Sequence, residues 1–97
     1  EGWSLLAAMA VETRHAMLGA MVSCNTYRNP DLLADMARTV DHLSGGRMYL
    51  GIGAGWFERE YAEYGYPFGT PRSRLQNLVD GLDRIVARLP KLDRGFR

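Results

Sequence analysis

Residues 29–53 read NPDLLADMARTVDHLSGGRMYLGIG, and this stretch decides the fold. Its opening, Asn29-Pro30-Asp31, is a strong helix start. Asparagine caps free backbone N–H groups, proline suits the first helical position, and aspartate favours the positive end of the helix dipole. The helix carries an apolar face at helical intervals: Leu32, Leu33, Met36, Ala37, Val40 and Leu43. Ser44-Gly45-Gly46 then ends it, since glycine tolerates left-handed backbone, and Met48–Ile52 follows as a buried strand.

A second strand is predicted before this helix. His15–Val22 is a continuous apolar run of strand length, and a crossover of about 25 residues with one helix separates it from Met48–Ile52. A crossover of that size is typical of a βαβ unit, in which the two strands are parallel. Trp3–Val11 precedes it as a predicted short helix with an apolar face of Leu5, Leu6, Met9 and Ala10.

On the C-terminal side, Phe57–Tyr64 is interpreted as a short helix or an ordered loop. A last helix is predicted from Arg72 to Leu89, with a buried stripe of Leu75, Leu78, Val79, Leu82, Ile85, Val86 and Leu89. The predicted order is therefore α-β-α-β-α. Two strands and three helices cannot cover a parallel sheet alone, because sheet edges and apolar helix faces stay open. We predict an α/β fold in which residues 1–97 are one partial domain of a larger core.

The composition argues against several classes of function. The formal net charge is +1 and the basic residues are dispersed, which favours neither a nucleic-acid partner nor an anionic membrane. No apolar stretch approaches the roughly 20 residues that a membrane span needs. Because Cys24 is the single cysteine, no internal disulfide can form, and a cytoplasmic protein is expected. His15 and His42 lie in no ligand-spaced cluster, so no metal site is predicted.

The run Gly51-Ile52-Gly53-Ala54-Gly55-Trp56 is the main candidate for a ligand site, because it follows a predicted strand. Neither glycine frame completes the Gly-x-Gly-x-x-Gly dinucleotide fingerprint. Three alternating glycines before an aromatic suit either a flat ring laid against bare backbone or only a tight turn. Cys24 is interpreted as a small half-buried residue, since no base accompanies it. Glu58, Glu60 and Glu63 are interpreted as a solvated helix face.

Four blocks in order carry a resemblance to a known family. They are LGAMV at 18–22, YRNPDLLA at 27–34, DHLSGGR at 41–47 and GIGAGW at 51–56. Together they resemble the luciferase-like monooxygenase superfamily, and in particular its branch of oxidoreductases that use the deazaflavin coenzyme F-420. The similarity covers residues 1–89, whereas the final residues, 93–97, do not continue it.

The resemblance implies a fold and a site. The fold would be a segment of an eight-stranded β/α (TIM) barrel, with the chain supplying roughly the third and fourth β/α units. The cofactor would lie at the C-terminal ends of the strands, where a non-prolyl cis peptide matching Met21–Val22 makes a bulge behind its ring. Some deazaflavin members have an acidic residue at the position of Trp56. A hydrogen bond from that side chain is therefore not carried over to this sequence. The implied cofactor-binding residues are Met21, Val22, Ser23, Cys24, Asn25, Ala54, Gly55 and Trp56.

The resemblance also implies an activity, the transfer of a hydride between coenzyme F-420 and a small organic substrate, by a protein expected to be a homo-oligomer. No general acid or base is identified. One alternative is an FMN-dependent luciferase-like monooxygenase. Another is a non-catalytic half-barrel fragment that self-associates through open sheet edges. A Rossmann-like NAD(P) domain ranks last, because the residues from Leu75 onward predict a helix rather than a strand ending in an acidic residue.

Overall fold

The computed structural model describes residues 1–92, so the departure from the family pattern at 93–97 lies outside the described residues. Two short strands follow each of the first two helices, a 3-10 turn follows the second strand, and two helices come last in the described residues. In chain order they are α1 (Gly2–Glu12), β1 (Leu18–Gly19), β2 (Ser23–Cys24), the 3-10 turn Asn25–Tyr27, α2 (Pro30–Leu43), β3 (Met48–Tyr49), β4 (Ile52–Gly53), α3 (Glu58–Tyr64) and α4 (Pro71–Leu92).

The strands pair in parallel, as the length of the crossover predicts. There are four short strands: β1 pairs with β3, and β2 pairs with β4. β1 lies within the predicted first strand, whereas β2 begins only after its predicted end at Val22, so that end was wrong. The α/β class and the parallel order are confirmed, although residues 1–92 form a segment of a sheet and not a closed barrel. The predicted start of the first strand at His15 was wrong, because the ladder begins only at Leu18.

A one-residue bulge separates β1 from β2. Leu18 lies opposite Met48, an offset of 30 residues, whereas Ser23 lies opposite Ile52, an offset of 29. The first strand therefore carries one extra residue between its two pieces, which is the defining property of a β-bulge. The peptide bond between Met21 and Val22 lies in this bulge and is cis, as the family resemblance predicts.

Helix α2 begins and ends as its sequence predicts. The Asn29 side chain accepts hydrogen bonds from the N–H groups of Asp31 (2.9 Å) and Leu32 (3.2 Å). At the other end Gly45 and Gly46 have φ values of 69° and 89°, the left-handed region that favours glycine. The helix contacts α1 and α4, and its inner face joins one core of Trp3, Leu6, Ala10, Leu18, Leu33, Ala34, Ala37, Val40 and Ile85.

The predicted inner faces of α1 and α4 were partly wrong. Helix α1 buries Trp3, Leu6 and Ala10, while Leu5 is 63% exposed and Met9 47% exposed. In α4 the inward positions are few, because this helix contacts only α2 and the 3-10 turn closely. Periodicity locates an apolar face but not how much of it a neighbour covers. The large apolar residues of α4 that remain exposed are Leu75, Val79, Leu82 and Val86.

Arg47 ties together the segments at the amino-terminal edge of the strands. Its Nη1 donates to the Ala16 carbonyl oxygen (2.6 Å) and to Thr13 Oγ1 (2.9 Å). Its Nη2 donates to the carbonyl oxygens of Ala10 (3.0 Å) and Thr13 (2.8 Å), and Nε donates to that of Ser44 (2.7 Å). The Ala16 carbonyl oxygen accepts its hydrogen bond from the Arg47 guanidinium and not from a neighbouring strand. The residues just before Leu18 therefore form a loop and not part of the sheet.

We expect Arg47→Lys to lower the free energy of unfolding of the full-length protein by about 2–4 kcal/mol, measured by urea denaturation. A lysine ammonium cannot reproduce the planar fork, so several carbonyl oxygens would lose their donor. The control is Arg59→Lys, which alters an exposed ion pair with Glu63 and should change stability by less than about 0.5 kcal/mol. Equal losses in the two variants would contradict the role given to Arg47.

Candidate functional site

The site lies where the two parallel strands end. Cys24, the last residue of β2, pairs in register with Gly53, the last residue of β4. Because parallel strands end on the same edge of a sheet, the residues after each strand meet there. The structure thus brings the 3-10 turn beside the segment Ala54-Gly55-Trp56 and the start of α3.

Two of the three alternating glycines make room for the bulge. A Cβ atom on Gly51 would overlap the carbonyl oxygen of Ala20, and one on Gly53 would lie 2.7 Å from Val22 Cγ2. Both glycines therefore face the bulged part of the neighbouring strand at a separation that admits no side chain. Strand packing therefore accounts for these two glycines, and the interpretation that their bare backbone also faces a ligand stays a prediction. This packing also excludes a simple tight turn at these two positions, because they lie along the paired strand.

The third glycine, Gly55, is enclosed for a different reason. It has φ 87°, and a Cβ atom there would overlap the Tyr61 hydroxyl and lie 2.7 Å from Cys24 Sγ. Its carbonyl oxygen accepts a hydrogen bond from Arg74 Nε (3.2 Å). Arg74 is in turn held by Phe68, whose ring centroid lies 3.8 Å from the guanidinium carbon. Gly55 is therefore fixed from both sides by side chains of α3 and α4.

Tyr61 connects the ends of the two strands. Its side chain is fully buried, and its hydroxyl donates to the Ala54 carbonyl oxygen (3.2 Å). The Tyr61 hydroxyl oxygen also lies 2.9 Å from Thr26 Oγ1 and 3.4 Å from Cys24 Sγ. Burial and the hydrogen bond with the Cys24 thiol raise the pKa of Tyr61, so the phenol stays protonated and can donate. No role is predicted for this residue from the sequence, where the signal is a pair of tyrosines, Tyr61 and Tyr64, within a charged helical segment.

The predicted site residues divide into two groups. Met21, Val22, Cys24, Gly55 and Trp56 line one cavity of about 230 Å³. Met21 is 98% exposed and Trp56 81% exposed, so much of the lining is apolar surface that nothing within residues 1–92 covers. We refer to Met21, Val22, Gly55 and Trp56 as the strand-end surface.

The three other predicted residues make contacts within the protein, although Ser23 also lines a second, larger cavity. Ser23 Oγ accepts a hydrogen bond from Trp3 Nε1 (2.9 Å). The Ala54 carbonyl oxygen accepts one from the Tyr61 hydroxyl. The Asn25 amide donates to the Asn77 carbonyl oxygen (3.0 Å) and packs against Gly81, where a Cβ atom would overlap it. This contact explains a glycine in the middle of α4. The Asn25 side chain therefore serves the packing of α4 and does not line the cavity.

A larger cavity of about 600 Å³ adjoins the first, and both are lined by Val22, Cys24, Tyr27 and Glu60. Glu60 was wrongly interpreted as part of a solvated face. It is half-buried, and its Oε2 accepts a hydrogen bond from the Tyr27 hydroxyl (3.3 Å). Glu58 and Glu63 are exposed as predicted. Burial, with smaller contributions from Cys24 and Glu60, raises the pKa of Tyr27, which keeps that phenol a donor.

Other kinds of site have less support in the structure. Residues 1–92 hold no group of three His, Cys, Asp or Glu side chains that could bind a metal ion. Within the same range, no helix is both long and apolar enough to cross a membrane.

Comparison with known proteins identifies the family. The family model for luciferase-like monooxygenases matches residues 1–93. The chain belongs to this family. It is similar to an uncharacterized protein of Mycobacterium tuberculosis, with 32% identity over 80 residues, which are 82% of this chain and 28% of that protein.

Two further luciferase-like relatives have more informative names. A second M. tuberculosis protein, provisionally named a coenzyme F-420-dependent oxidoreductase, is 33% identical over 91% of this chain and 25% of its own length. The 4-hydroxyprotoasukamycin monooxygenase of Streptomyces nodosus subsp. asukaensis is 33% identical over 84% of this chain and 22% of that enzyme. The chain spans about a quarter of the length of these curated relatives.

We expect Gly55→Ala to destabilise the full-length luciferase-like protein by about 3 kcal/mol or more, measured by urea denaturation. The added methyl group would clash with Tyr61 and Cys24 and also require a positive φ. Gly65→Ala is the matched control, because Gly65 has φ 75° with no atom within 4 Å of the added Cβ, so only the backbone cost of about 1 kcal/mol applies. If both variants lost the same stability, Gly55 would not be enclosed as described.

Proposed function

We propose that the whole protein of which this chain is part is a luciferase-like oxidoreductase that transfers a hydride between coenzyme F-420 and a small organic substrate. The observation that carries this proposal is the strand-end surface. An exposed methionine, valine and tryptophan border a cavity at the joined ends of two parallel strands, beside a cis-peptide bulge. The name of the coenzyme F-420-dependent relative supports the choice of cofactor.

The residues of this surface suit a flat, largely apolar ring system. Ligand sites combine apolar walls with a few placed polar groups, and the smaller cavity sets Met21, Val22 and Trp56 beside the polar side chains of Tyr27 and Glu60. Met21, Val22 and Trp56 would hold the ring, while Gly55, fixed by Tyr61 and Arg74, would keep the second strand end in place. When bound, the cofactor supplies the hydride chemistry. The protein supplies position, exclusion of water and electrostatics.

FMN is the second candidate for the cofactor. Its ring has a similar flat shape, and the strand-end surface offers apolar contact rather than a polar group specific to one ring. The relative named as a monooxygenase is the observation that keeps this alternative open, whereas the name of the other relative states coenzyme F-420. In either case the substrate would be a small molecule that lies on the exposed side of the ring.

We expect the purified full-length protein to bind coenzyme F-420 with a Kd in the micromolar range and at least about tenfold more tightly than FMN, measured by fluorescence titration. Trp56→Ala should weaken this binding by about tenfold, because an exposed aromatic side chain on the surface is lost. Leu5→Ala, on the exposed side of α1, is the control and should leave the Kd unchanged. Tight FMN binding without F-420 binding would assign the protein to the flavin branch, and binding of neither would overturn the proposal.

A further inference from the structure

Glu60 occupies a position that the proposed function does not yet use. It lies in the first turn of α3 and lines both the larger and the smaller cavity. Only the carboxylates of Glu1 and Glu60 line either cavity among the described residues. Glu1 is already engaged, since it caps α1 and forms an ion pair with Arg28. Glu60 is therefore the carboxylate that remains for a ligand.

The position of the Glu60 carboxylate is held by Tyr27. The Tyr27 hydroxyl donates to Glu60 Oε2, and the Tyr27 ring packs edge-on against Tyr61 and Tyr64 with centroid distances of 5.1 and 5.3 Å. The Tyr66 hydroxyl donates to the Tyr27 carbonyl oxygen (3.3 Å). Within residues 1–92, no hydrogen bond joins the other carboxylate oxygen, Oε1, to a protein donor. Tyr27 thus fixes Oε2 of Glu60, and Oε1 is available to a ligand in the cavity.

Among the described residues Glu60 forms no ion pair, although Arg28 also lines the larger cavity. Arg28 is paired with Glu1, and Arg59 is paired with Glu63 on the exposed side of α3. Arg74 packs under the Phe68 ring and donates to backbone carbonyl oxygens. The wall shared by the two cavities therefore carries one uncompensated negative charge beside the strand-end surface.

We propose that Glu60 sets the redox balance of the bound cofactor by disfavouring its reduced form; this rests on the proposed function. Acceptance of a hydride brings one additional negative charge to the ring unless a proton follows. A fixed carboxylate on the wall of the cavity opposes that charge by Coulomb repulsion, which grows as the bound cofactor displaces water. Glu60 thereby favours hydride transfer from the cofactor to the substrate over the reverse.

The test compares the binding of oxidised and reduced coenzyme F-420 to the full-length protein and its Glu60→Gln variant. Glutamine keeps the size of the side chain and an oxygen that accepts from Tyr27, so the substitution removes the charge and replaces the second oxygen by an NH2 donor. We expect the ratio of the Kd for the reduced form to that for the oxidised form to fall about tenfold. For a two-electron couple this raises the midpoint potential of the bound cofactor by about 30 mV. Should the wild type bind FMN instead, oxidised and reduced FMN are the probes.

Glu63→Gln is the matched control, because it removes one carboxylate from the same helix on its exposed side. It should leave the ratio within about twofold of the wild-type value. An unchanged ratio in Glu60→Gln, a change in the opposite direction, or an equal change in Glu63→Gln would overturn the inference while leaving the proposed function intact. Failure of the wild-type protein to bind either cofactor would instead overturn the proposed function and, with it, this inference.

Discussion

The structure depends on the close approach of two strands: the bulged strand lies against a neighbour that has glycine, and so no side chain, at positions 51 and 53. In the bulge, the Ala20 carbonyl oxygen occupies the space that a side chain at Gly51 would fill, and the Val22 side chain occupies that of a side chain at Gly53. A bulge inserts one residue and redirects the chain that follows it. The same shift in register leaves Met21 almost fully exposed at the strand end. Gly51 and Gly53 are thus needed for the packing of the two strands.

The amino-terminal and carboxyl-terminal ends of the strands are stabilised by different side chains. At the amino-terminal edge, the guanidinium of Arg47 binds backbone carbonyl groups of the helix and loop that precede the first strand. At the carboxyl edge, Tyr61 and Arg74 hold the chain after each strand, and the side chains left exposed there are apolar. Such a division is expected for β/α barrels, where one face stabilises the fold and the other carries the site. The uncompensated Glu60 lies on the second face.

Local signals in the sequence predicted the local structure well. The cap at Asn29 and the left-handed glycines after α2 follow from backbone chemistry within a few residues, and both are present. The family resemblance located the cis bond. The start of the first strand could not be predicted, because it is set by a hydrogen bond from Arg47, 31 residues further along the chain.

The errors in the candidate site have the same origin. Asn25 and Glu60 are polar residues whose surroundings come from distant segments, α4 for the first and Tyr27 for the second. Spacing along the chain carries no information on such contacts. The packing of Gly81 against Asn25 likewise appears only once α4 is in place. Periodicity also overestimated the buried faces of α1 and α4, since it shows that a face is apolar and not which neighbour covers it.

The most direct test of this account is a double-mutant cycle between Gly53 and Val22 in the full-length protein, measured by urea denaturation. Gly53→Ala should cost about 2–3 kcal/mol, because its methyl group would meet Val22 Cγ2, whereas Val22→Ala alone should cost less than about 1 kcal/mol at a half-exposed site. The account predicts that the double variant recovers at least about 1 kcal/mol relative to the sum of the single losses. Strictly additive losses, or a Gly53→Ala variant of normal stability that fails only in cofactor binding, would contradict it.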